Sequence, residues 1–442
     1  MSYHRDEILS RISNSKQPAW LSALRREALA RFESLGYPSI QQEAWKYTNP
    51  KVFADTPFQL TAPEASHAQW KKVLTQPLTQ SGLAKNFLTF LNGHLVASQI
   101  APELISQGLY VAGLRETLEK EPERLQKYLT QDLQNLTQPF FAFNKALLQD
   151  GAFIEVPARL VLHEPIELRF LSLPEVSYSA SHPHNLIVAG EQSQVTILEN
   201  YQGDSSALDY WTNAATQIIA GENSVVTHYR LQQEAEAGLH LSTLKIAQDC
   251  QSQVEAFNFS LGGKLARFEI DSALDAEGAS CSLHGLYVAQ GTQHVDHQTT
   301  IDHLKPHCTS QEIFKGILDD KAQGVFNGSI VVRPGAQKTY SNLINRNLLL
   351  SKEALINTKP LLEIFANDVK CSHGATIGRL DETQVFYLRS RGIPEKLARA
   401  LLTYAFAAEV FSEVKVKSVQ ERLENFLLGR LHIDAARQEV LV

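Results

Sequence analysis

The sequence predicts a mainly β protein with helical ends, in which the β part is a solenoid. Three observations lead to this prediction. Segments with helical periodicity extend to about Leu148, short runs of alternating apolar and polar residues continue from Phe153 to Gly378, and helical periodicity then returns. A weak repeat of 29–30 residues also runs through the middle zone. A sustained repeat of this length is typical of stacked coils.

The first zone, residues 1–150, is interpreted as a mainly helical domain. Residues 20–35, WLSALRREALARFESL, follow Pro18 and precede Gly36, which are typical start and stop signals of a helix. One face of this predicted helix is apolar and carries Leu21, Leu24, Ala28 and Phe32. The later segment LRETLEKEPERLQKYL has the same character.

The middle zone, residues 151–378, is interpreted as the solenoid. Its stretches AGEQSQVTILENY, AGENSVVTHYRLQ and AQDCQSQVEAFNF resemble each other. Their first apolar strand residues, continued at the same step, are Val195, Val225, Val254, Leu283, Ile313 and Leu343. One coil cannot bury its apolar face alone, so the coils must stack. A β-sandwich is the alternative, but sandwiches do not usually keep one repeat over so long a segment.

The third zone, residues 379–442, is interpreted as a C-terminal helical domain. Its first helix begins near Pro394, and the segment SVQE at 418–421 predicts a capping box for the second. The apolar stripes of the two helices are Leu397, Leu401, Ala405 and Ala408, and then Val419, Leu423, Phe426 and Leu427. Such helices can cap the solenoid or present a face to a partner.

Composition narrows the class of protein. The net charge of −7 argues against a general nucleic-acid or membrane-surface binder. The N-terminus lacks the apolar stretch of a signal peptide and no long apolar run occurs, so we expect a cytoplasmic protein. Phosphate-binding glycine loops and nucleophile elbows are missing from the sequence. The cysteines are far apart and form no CxxC pair; they are Cys250, Cys281, Cys308 and Cys371.

Two stretches contain metal-ligating residue types. In HVDHQTTIDHLKPHC, strand geometry puts His294 and His297 on opposite faces, which favours a structural role over a metal site. In DVKCSHGATIG, the same geometry puts Cys371 and His373 on one face. Two ligands do not complete a tetrahedral site, and the pair is poorly arranged as a nucleophile and base. A buried cysteine and a hydrogen-bonded histidine before Gly374 is the structural alternative.

The segment LINRNLLLSKEALINTKPLLEIFANDVKCSHGATIGRLDETQVFYLRSRGI, together with FNGSIVVRPGAQKTY and EAWKYTNP, resembles the SufB/SufD family of the SUF iron–sulfur cluster assembly machinery. The resemblance implies a right-handed parallel β-helix core between helical domains. It also implies pairing with a SufB paralogue through the β-helix and binding of SufC, an ABC-type ATPase, through residues from about Asp381 to Leu428. A cysteine desulfurase system would supply sulfur indirectly.

Within that family the chain is similar to the SufD branch. Gly374 stands where SufB-like chains carry a glutamate, and the upstream cysteines of SufB are missing. The resemblance implies a non-enzymatic scaffold in which His373, with Cys371 nearby, contributes to a cluster-assembly site at the SufB interface, both as tentative metal ligands. We expect no stable cofactor on the isolated chain, a transient iron–sulfur cluster in the complex, and a possible homodimer without SufB. A β-helix polysaccharide lyase and a metal-storage protein are the alternatives.

Overall fold

The computed structural model describes residues 2–14, 17–73, 82–130, 136–204 and 208–431. The prediction of a mainly β chain with a β-solenoid and helices at both ends is confirmed, and the solenoid has about eight turns. The helices are α1 Ser2–Asn14, α2 Ala19–Leu35, α3 Lys51–Asp55, α4 Pro63–Val73, α5 Pro102–Ser106, α6 Leu114–Lys120, α7 Pro122–Leu129, α8 Pro139–Leu147, α9 Glu382–Ser390, α10 Glu395–Phe411 and α11 Lys417–Arg430, with a 3-10 turn at Glu43–Trp45.

The strands before residue 190 include pieces of both the N-terminal zone and the solenoid. They are β1 Gln59–Leu60, β2 Asn86–Leu91, β3 His94–Gln99, β4 Tyr110–Gly113, β5 Ala152–Val156, β6 Ile166–Ser172, β7 Ser179–Ser181 and β8 His184–Ala189. The later strands are β9 Gln194–Gly203, β10 Tyr210–Ala220, β11 Val225–Gln233, β12 Gly238–Gln248, β13 Gln253–Ser260, β14 Leu265–Leu274, β15 Ser280–Ala289, β16 His294–His303, β17 Thr309–Leu318, β18 Gln323–Val332, β19 Tyr340–Leu349, β20 Leu355–Ile364 and β21 Lys370–Gly378.

Alternate strands build two facing sheets. Sheet I has the order β4-β5-β8-β10-β12-β14-β16-β18-β20, and sheet II has the order β3-β2-β6-β9-β11-β13-β15-β17-β19-β21. From β8 onwards each strand pairs in parallel with the strand two places later in the chain. Because a sandwich pairs antiparallel strands, this order excludes the sandwich alternative.

The repeat is real, but its period is not constant. Val195 and Val254 occupy equivalent places, as predicted, but the residue between them in the stack is Val226 and not Val225. From β8 onwards the step between paired residues ranges from 26, Leu239 with Leu265, to 32, Gln323 with Leu355. The constant step was therefore wrong, because the corner loops between coils differ in length.

One line of corners is held by a continuous backbone ladder. At each corner a backbone N–H donates to a carbonyl oxygen of the next coil, at 2.7–3.2 Å. The donor residue usually has a left-handed conformation, with φ between 55° and 62°, which polar side chains and glycine tolerate best. The donors are Gln192, Asn223, Gln251, Gly278, His307 and Lys338.

The N-terminal zone contains α2 as predicted, but it also contains strands that the prediction missed. Asn92 and Gly93 both have positive φ, 48° and 84°, and join β2 to β3 as a tight hairpin. β2 then pairs in parallel with β6. Sheet II therefore extends into the first 150 residues, so that zone is not helical throughout.

The outer face of sheet I is covered by the N-terminal zone. The indole of Trp45 lies 3.7 Å from the Arg267 guanidinium, which also donates to the Ala44 carbonyl at 2.9 Å. Arg267 pairs with the buried carboxylate of Asp296, and Thr48 donates to that carboxylate as well. A buried charge is tolerated only with such partners. The segment around EAWKYTNP is thus anchored on β14 and β16.

The C-terminal helices α10 and α11 cover the outer face of sheet II. Apolar residues of β9 to β17 pack against Ala407, Phe411 and Leu423. The predicted stripe of α10 was partly wrong, because Ala405 is exposed while Ala400 and Ala407 are buried.

Two further details of this zone differ from the prediction. The predicted capping box was wrong: Ser418 lies inside α11 and its hydroxyl donates to the Leu83 carbonyl instead. Helix α9, which precedes the two predicted helices, was not predicted. Among the described helices none is both long and apolar enough to cross a bilayer.

Candidate functional site

The two ends of the solenoid are built differently. At the N-terminal end the outermost strands are β3 and β4, which run antiparallel to their neighbours. At the C-terminal end β20 and β21 are the last strands of sheets I and II, and each has a hydrogen-bonded neighbour on one side only. We call the first of these the closed end and the second the open end. An unpaired strand edge is a ready template for pairing with another chain.

Cys371 and His373 lie on the last strand at the open end. In the parallel ladder, Cys371 stands in register with Ser341, and His373 stands in register with the buried Leu343. Both side chains therefore continue inward-facing rows, which confirms that they share one face. Cys371 is half-buried and packs against the solenoid core, whereas His373 is exposed.

The row beneath Cys371 consists of small polar side chains. Ser341 is followed by Ser310 and then by the buried Cys281. The hydroxyls of Ser341 and Ser310 lie 2.6 Å apart, and Ser310 lies 2.9 Å from Nε2 of His303. This hydrogen-bonded group fixes the rotamers directly below the thiol.

The row beneath His373 leads to a buried carboxyl group. Leu343 is followed by Glu312, which accepts a 2.5 Å hydrogen bond from the Thr299 hydroxyl. Burial raises the pKa of Glu312 from its ordinary value of 4.5 to about 8. Glu312 is therefore mainly protonated and neutral at pH 7, and one leucine side chain separates it from the open end.

The open end carries one thiol and one imidazole side by side. Burial raises the pKa of the Cys371 thiol, so this group is protonated at neutral pH. The imidazole of His373 has no hydrogen-bond partner in the part of the chain that the structure describes. Across those same residues no group of three or more His, Cys, Asp or Glu side chains is arranged to hold a metal ion.

Gly374 faces outward beside this pair. A Cβ atom built on Gly374 meets no atom within 4 Å, and its φ is not in the left-handed region. The position lies within β21, so no turn requires glycine there. The structural alternative of a buried cysteine and a hydrogen-bonded histidine before Gly374 does not fit, because Cys371 is only half-buried and His373 is exposed. A longer side chain would have room at position 374.

The other stretch of histidines is dispersed by the fold. His294 faces outward and lies 2.8 Å from the Thr48 hydroxyl, while His297 is buried inside the solenoid against Tyr287. His303 contacts Ser310, and His307 is an exposed corner residue. The prediction that His294 and His297 face opposite sides is confirmed, and these residues do not form one site.

A further exposed feature was missed by the sequence reasoning. Phe386 and Tyr387 on α9 are 69% and 58% exposed, although large aromatic side chains usually lose most of their solvent contact on folding. Helix α9 has one buried residue among those described, Val385. The sequence gave no clear signal of this exposure, because an adjacent aromatic pair can also be buried, as Phe140 and Phe141 on α8 are.

Comparison with known proteins gives consistent matches along the chain. Residues 172–406 match the family model "SUF system FeS cluster assembly, SufBD core domain", and residues 6–168 match "SufBD protein N-terminal region". An iron–sulfur cluster assembly SufBD family protein of Synechocystis is 32% identical over 95% of both chains. The iron–sulfur cluster assembly protein SufD of Escherichia coli is 30% identical over 88% of both chains. The iron–sulfur cluster assembly protein SufD of Bacillus subtilis is 27% identical over 96% of this chain and 97% of the relative.

Proposed function

Because the chain belongs to the SufBD family, whose members act in iron–sulfur cluster assembly, we propose that it is a non-enzymatic, SufD-type scaffold subunit of a SUF assembly complex. In this proposal it pairs with a SufB-type paralogue through the solenoid and binds a SufC-type ATPase through its C-terminal helices. The nascent iron–sulfur cluster is the cargo of the complex. It is not a resident cofactor of this chain.

The observation that carries the proposal is the half-complete site at the open end. Cys371 and His373 share one face of the edge strand β21, and among the described residues no group of three or more His, Cys, Asp or Glu side chains includes them. A thiolate and a neutral imidazole are both good ligands for iron. A partner that covers the open end would bring the remaining ligands to the same place.

His373 has the leading role in this proposal because its imidazole is accessible to iron and to a partner. Its ring is exposed, so its nitrogen can ligate iron or accept a proton without breaking an internal hydrogen bond. Cys371 is half-buried and its thiol holds its proton more tightly than usual. We assign it a supporting part, with the main thiolate ligands supplied by the SufB-type partner.

The binding of the ATPase is assigned to the region that begins at α9. Helices α10 and α11 already bury their apolar faces against sheet II, whereas α9 leaves Phe386 and Tyr387 in solvent. Exposed aromatic side chains are the commonest anchors of protein interfaces. Hydrolysis of ATP would be carried out by the partner, since this chain lacks a phosphate-binding glycine loop.

Co-expression tests the proposal. The full-length chain, tagged, is produced with a SufB-type and a SufC-type protein, and the complex is purified and analysed by size-exclusion chromatography with light scattering. We expect one stable assembly that contains all three proteins. The chain alone is the control, and it is expected to form a homodimer through the unpaired edge. Failure of the three proteins to co-purify would overturn the scaffold assignment.

A further inference from the structure

Arg230 is a cationic side chain in the interior of the solenoid. It lies on β11, in register with Glu199 on β9 and Asn258 on β13. Its neighbours in the chain, Tyr229 and Leu231, point to the other face of the strand and pack in the cluster that contains the C-terminal helices. Because side chains alternate along a strand, Arg230 points inward, and it is 1% exposed.

The chain satisfies the guanidinium of Arg230 only in part. Its Nη1 makes a long contact of 3.5 Å with the Ser260 hydroxyl, and its central carbon lies 4.0 Å from the ring centroid of Phe268. Nε and Nη2 have no hydrogen-bond partner in the part of the chain that the structure describes. Burial lowers the pKa of Arg230 to about 10, so the side chain still carries its charge at pH 7.

The two interior carboxylates of this region pair with histidines instead of with Arg230. Glu199 lies 3.1 Å from Nε2 of His228, and Glu234 lies 3.1 Å from Nδ1 of His240. A buried charge without a close partner is costly, and so is each buried donor that makes no hydrogen bond. The guanidinium therefore needs a polar partner that the surrounding side chains do not supply.

Four further side chains of the interior have unpaired polar atoms beside Arg230. Within the described residues they are Oδ1 of Asn258, Oγ of Ser242, Nε2 of His240 and both ring nitrogens of His297. Ser242 and His297 stand in register with Phe268, one on each side of it. With Nε and Nη2 of Arg230, seven such atoms surround one part of the interior.

The seven atoms are a mixture of donors and acceptors. Arg230 can only donate, whereas Oδ1 of Asn258 can only accept. Burial lowers the pKa of His240 and keeps the ring neutral, so Nδ1 donates to Glu234 and Nε2 is an acceptor. Burial lowers the pKa of His297 to about 3, so this ring offers one donor and one acceptor.

This mixture identifies the kind of partner that fits. An anion accepts hydrogen bonds, so it would suit Arg230 but would face the oxygen of Asn258 and the lone pair of His240. Water both donates and accepts. A buried water makes about three hydrogen bonds, so about two or three water molecules would satisfy the group.

Aromatic side chains separate this region from the open end. Tyr287 and Phe314 lie 5.1 Å and 5.4 Å from the ring of His297, and Phe326 lies 5.2 Å from Phe314. All three are fully buried and stand on β15, β17 and β18, between Arg230 and the last strands of the two sheets. Polar groups around Arg230 are thus closed off from the surface at the open end.

We infer that the solenoid encloses a cluster of water molecules that hydrates Arg230 and is held by Asn258, Ser242, His240 and His297. The aromatic layer keeps these molecules apart from bulk water at the open end. The inference concerns the interior of the isolated chain and does not depend on the proposed function. Its failure would leave the scaffold assignment untouched.

Radiolytic footprinting of the full-length wild-type chain tests the inference. The protein is diluted from ordinary water into heavy-oxygen water, exposed to a short X-ray pulse after increasing delays, and analysed by mass spectrometry. Hydroxyl radicals formed from an enclosed water modify the nearest ring. We expect Phe268 to be modified, first with ordinary oxygen and only after long delays with heavy oxygen.

Two phenylalanines serve as controls in the same measurement. Phe386 is exposed and should take up heavy oxygen at the shortest delay. Phe90 is buried and stacked on Phe170 at 4.8 Å, so it should stay unmodified. Modification of Phe268 no greater than that of Phe90 would show a dry interior and overturn the inference. Heavy oxygen in Phe268 at the shortest delay would overturn the enclosure.

A variant and an ion probe identify what Arg230 holds. Arg230→Met keeps a long side chain but removes the charge and its donors, and we expect the modification of Phe268 to fall to the level of Phe90. Circular dichroism checks the fold, and unchanged modification in a folded variant would overturn the role of Arg230. A wild-type crystal grown in bromide is expected to show no anomalous peak beside Arg230. Such a peak would assign the place to an anion and overturn the assignment to water.

Discussion

The closed and open ends of the solenoid both have outermost strands, but they differ in whether backbone N–H groups there find an acceptor within the chain. At the closed end the buried carboxylate of Asp150 accepts hydrogen bonds from the backbone N–H groups of Leu95 on β3, Arg115 and Gly151, at 2.9–3.2 Å. At the open end, one side of β21 has no neighbouring strand in the described part of the chain. The difference teaches that one end has an internal acceptor for its backbone groups and that the other end, which the proposed function assigns to a partner, does not, so substitutions at the two ends should affect different measurements.

The largest expected effect is on the closed end. Asp150→Ala leaves one buried and two partly buried amides without their acceptor. Each such loss costs about 1–3 kcal/mol when the group is buried, so we expect the free energy of unfolding to fall by roughly 3 kcal/mol. Urea denaturation measures this change. Asp368→Ala is the matched control near the open end, because Asp368 is exposed and pairs with the exposed Lys338. The loss there should stay below about 1 kcal/mol.

Similar losses for the two aspartate variants would break the comparison. They would show either that the carboxylate of Asp150 is replaceable by water, or that the open end is as important to the fold as the closed end.

Glu312 gives the next prediction, for the interior below the open end. Its pKa is raised from 4.5 to about 8 in the folded chain, so between these values the unfolded chain releases a proton that the folded chain retains. Stability contributed by this group is complete below about pH 4.5 and falls as the pH rises to about 8, at up to about 1.4 kcal/mol per pH unit. Glu312→Gln removes this titration while keeping the acceptor for Thr299.

Urea denaturation of the wild type and Glu312→Gln at pH 5, 6.5 and 8 measures the effect. We expect the variant to gain stability relative to the wild type as the pH rises. Parallel profiles of the two proteins would show that Glu312 titrates normally, which would contradict a dry interior below His373.

Helix α9 provides a prediction about the binding of the ATPase, with no expected change in the stability of the chain. Phe386→Asp places a charge on an exposed aromatic position of α9, and we expect the affinity for the SufC-type ATPase to fall by about tenfold with little change in thermal stability. Ile105→Asp is the matched control, since Ile105 on α5 is also exposed and helical but lies far along the chain from α9. An unchanged affinity in Phe386→Asp would remove α9 from the ATPase contact.

The smallest effect is expected at Cys371, to which the proposed function gives a supporting part. Cys371→Ser preserves the size of a half-buried side chain that packs on the core, so the fold and the complex should be retained. We expect only a partial loss of cluster formation, measured by the iron and sulfide content of the purified complex. A complete loss would show that Cys371 is a principal ligand. Cys371, and not His373, would then have the leading role in cluster formation.

The parts of this architecture that follow local rules could be predicted from sequence. Alternation along strands predicted the solenoid, and the same rule placed Cys371 and His373 on one face. The exact register could not be predicted, because corner loops vary in length and so moved the equivalent residue from Val225 to Val226. The hairpin at Asn92–Gly93 was missed although its sequence signal was present.

The buried role of Glu312 could not be read from the sequence, since it depends on which face of β17 points into the solenoid. The same is true of Ser418, whose hydroxyl finds the Leu83 carbonyl through tertiary packing and not through a local cap.

Cluster formation by the assembled complex tests the central claim most directly, namely that the open end carries half of a cluster-assembly site. The complex is purified with wild-type chain, with His373→Ala, and with His307→Asn as a control at another exposed histidine, whose left-handed backbone asparagine tolerates. We predict that all three assemble equally and that His373→Ala alone yields complexes depleted in iron and sulfide. Full cluster content with His373→Ala would contradict the account.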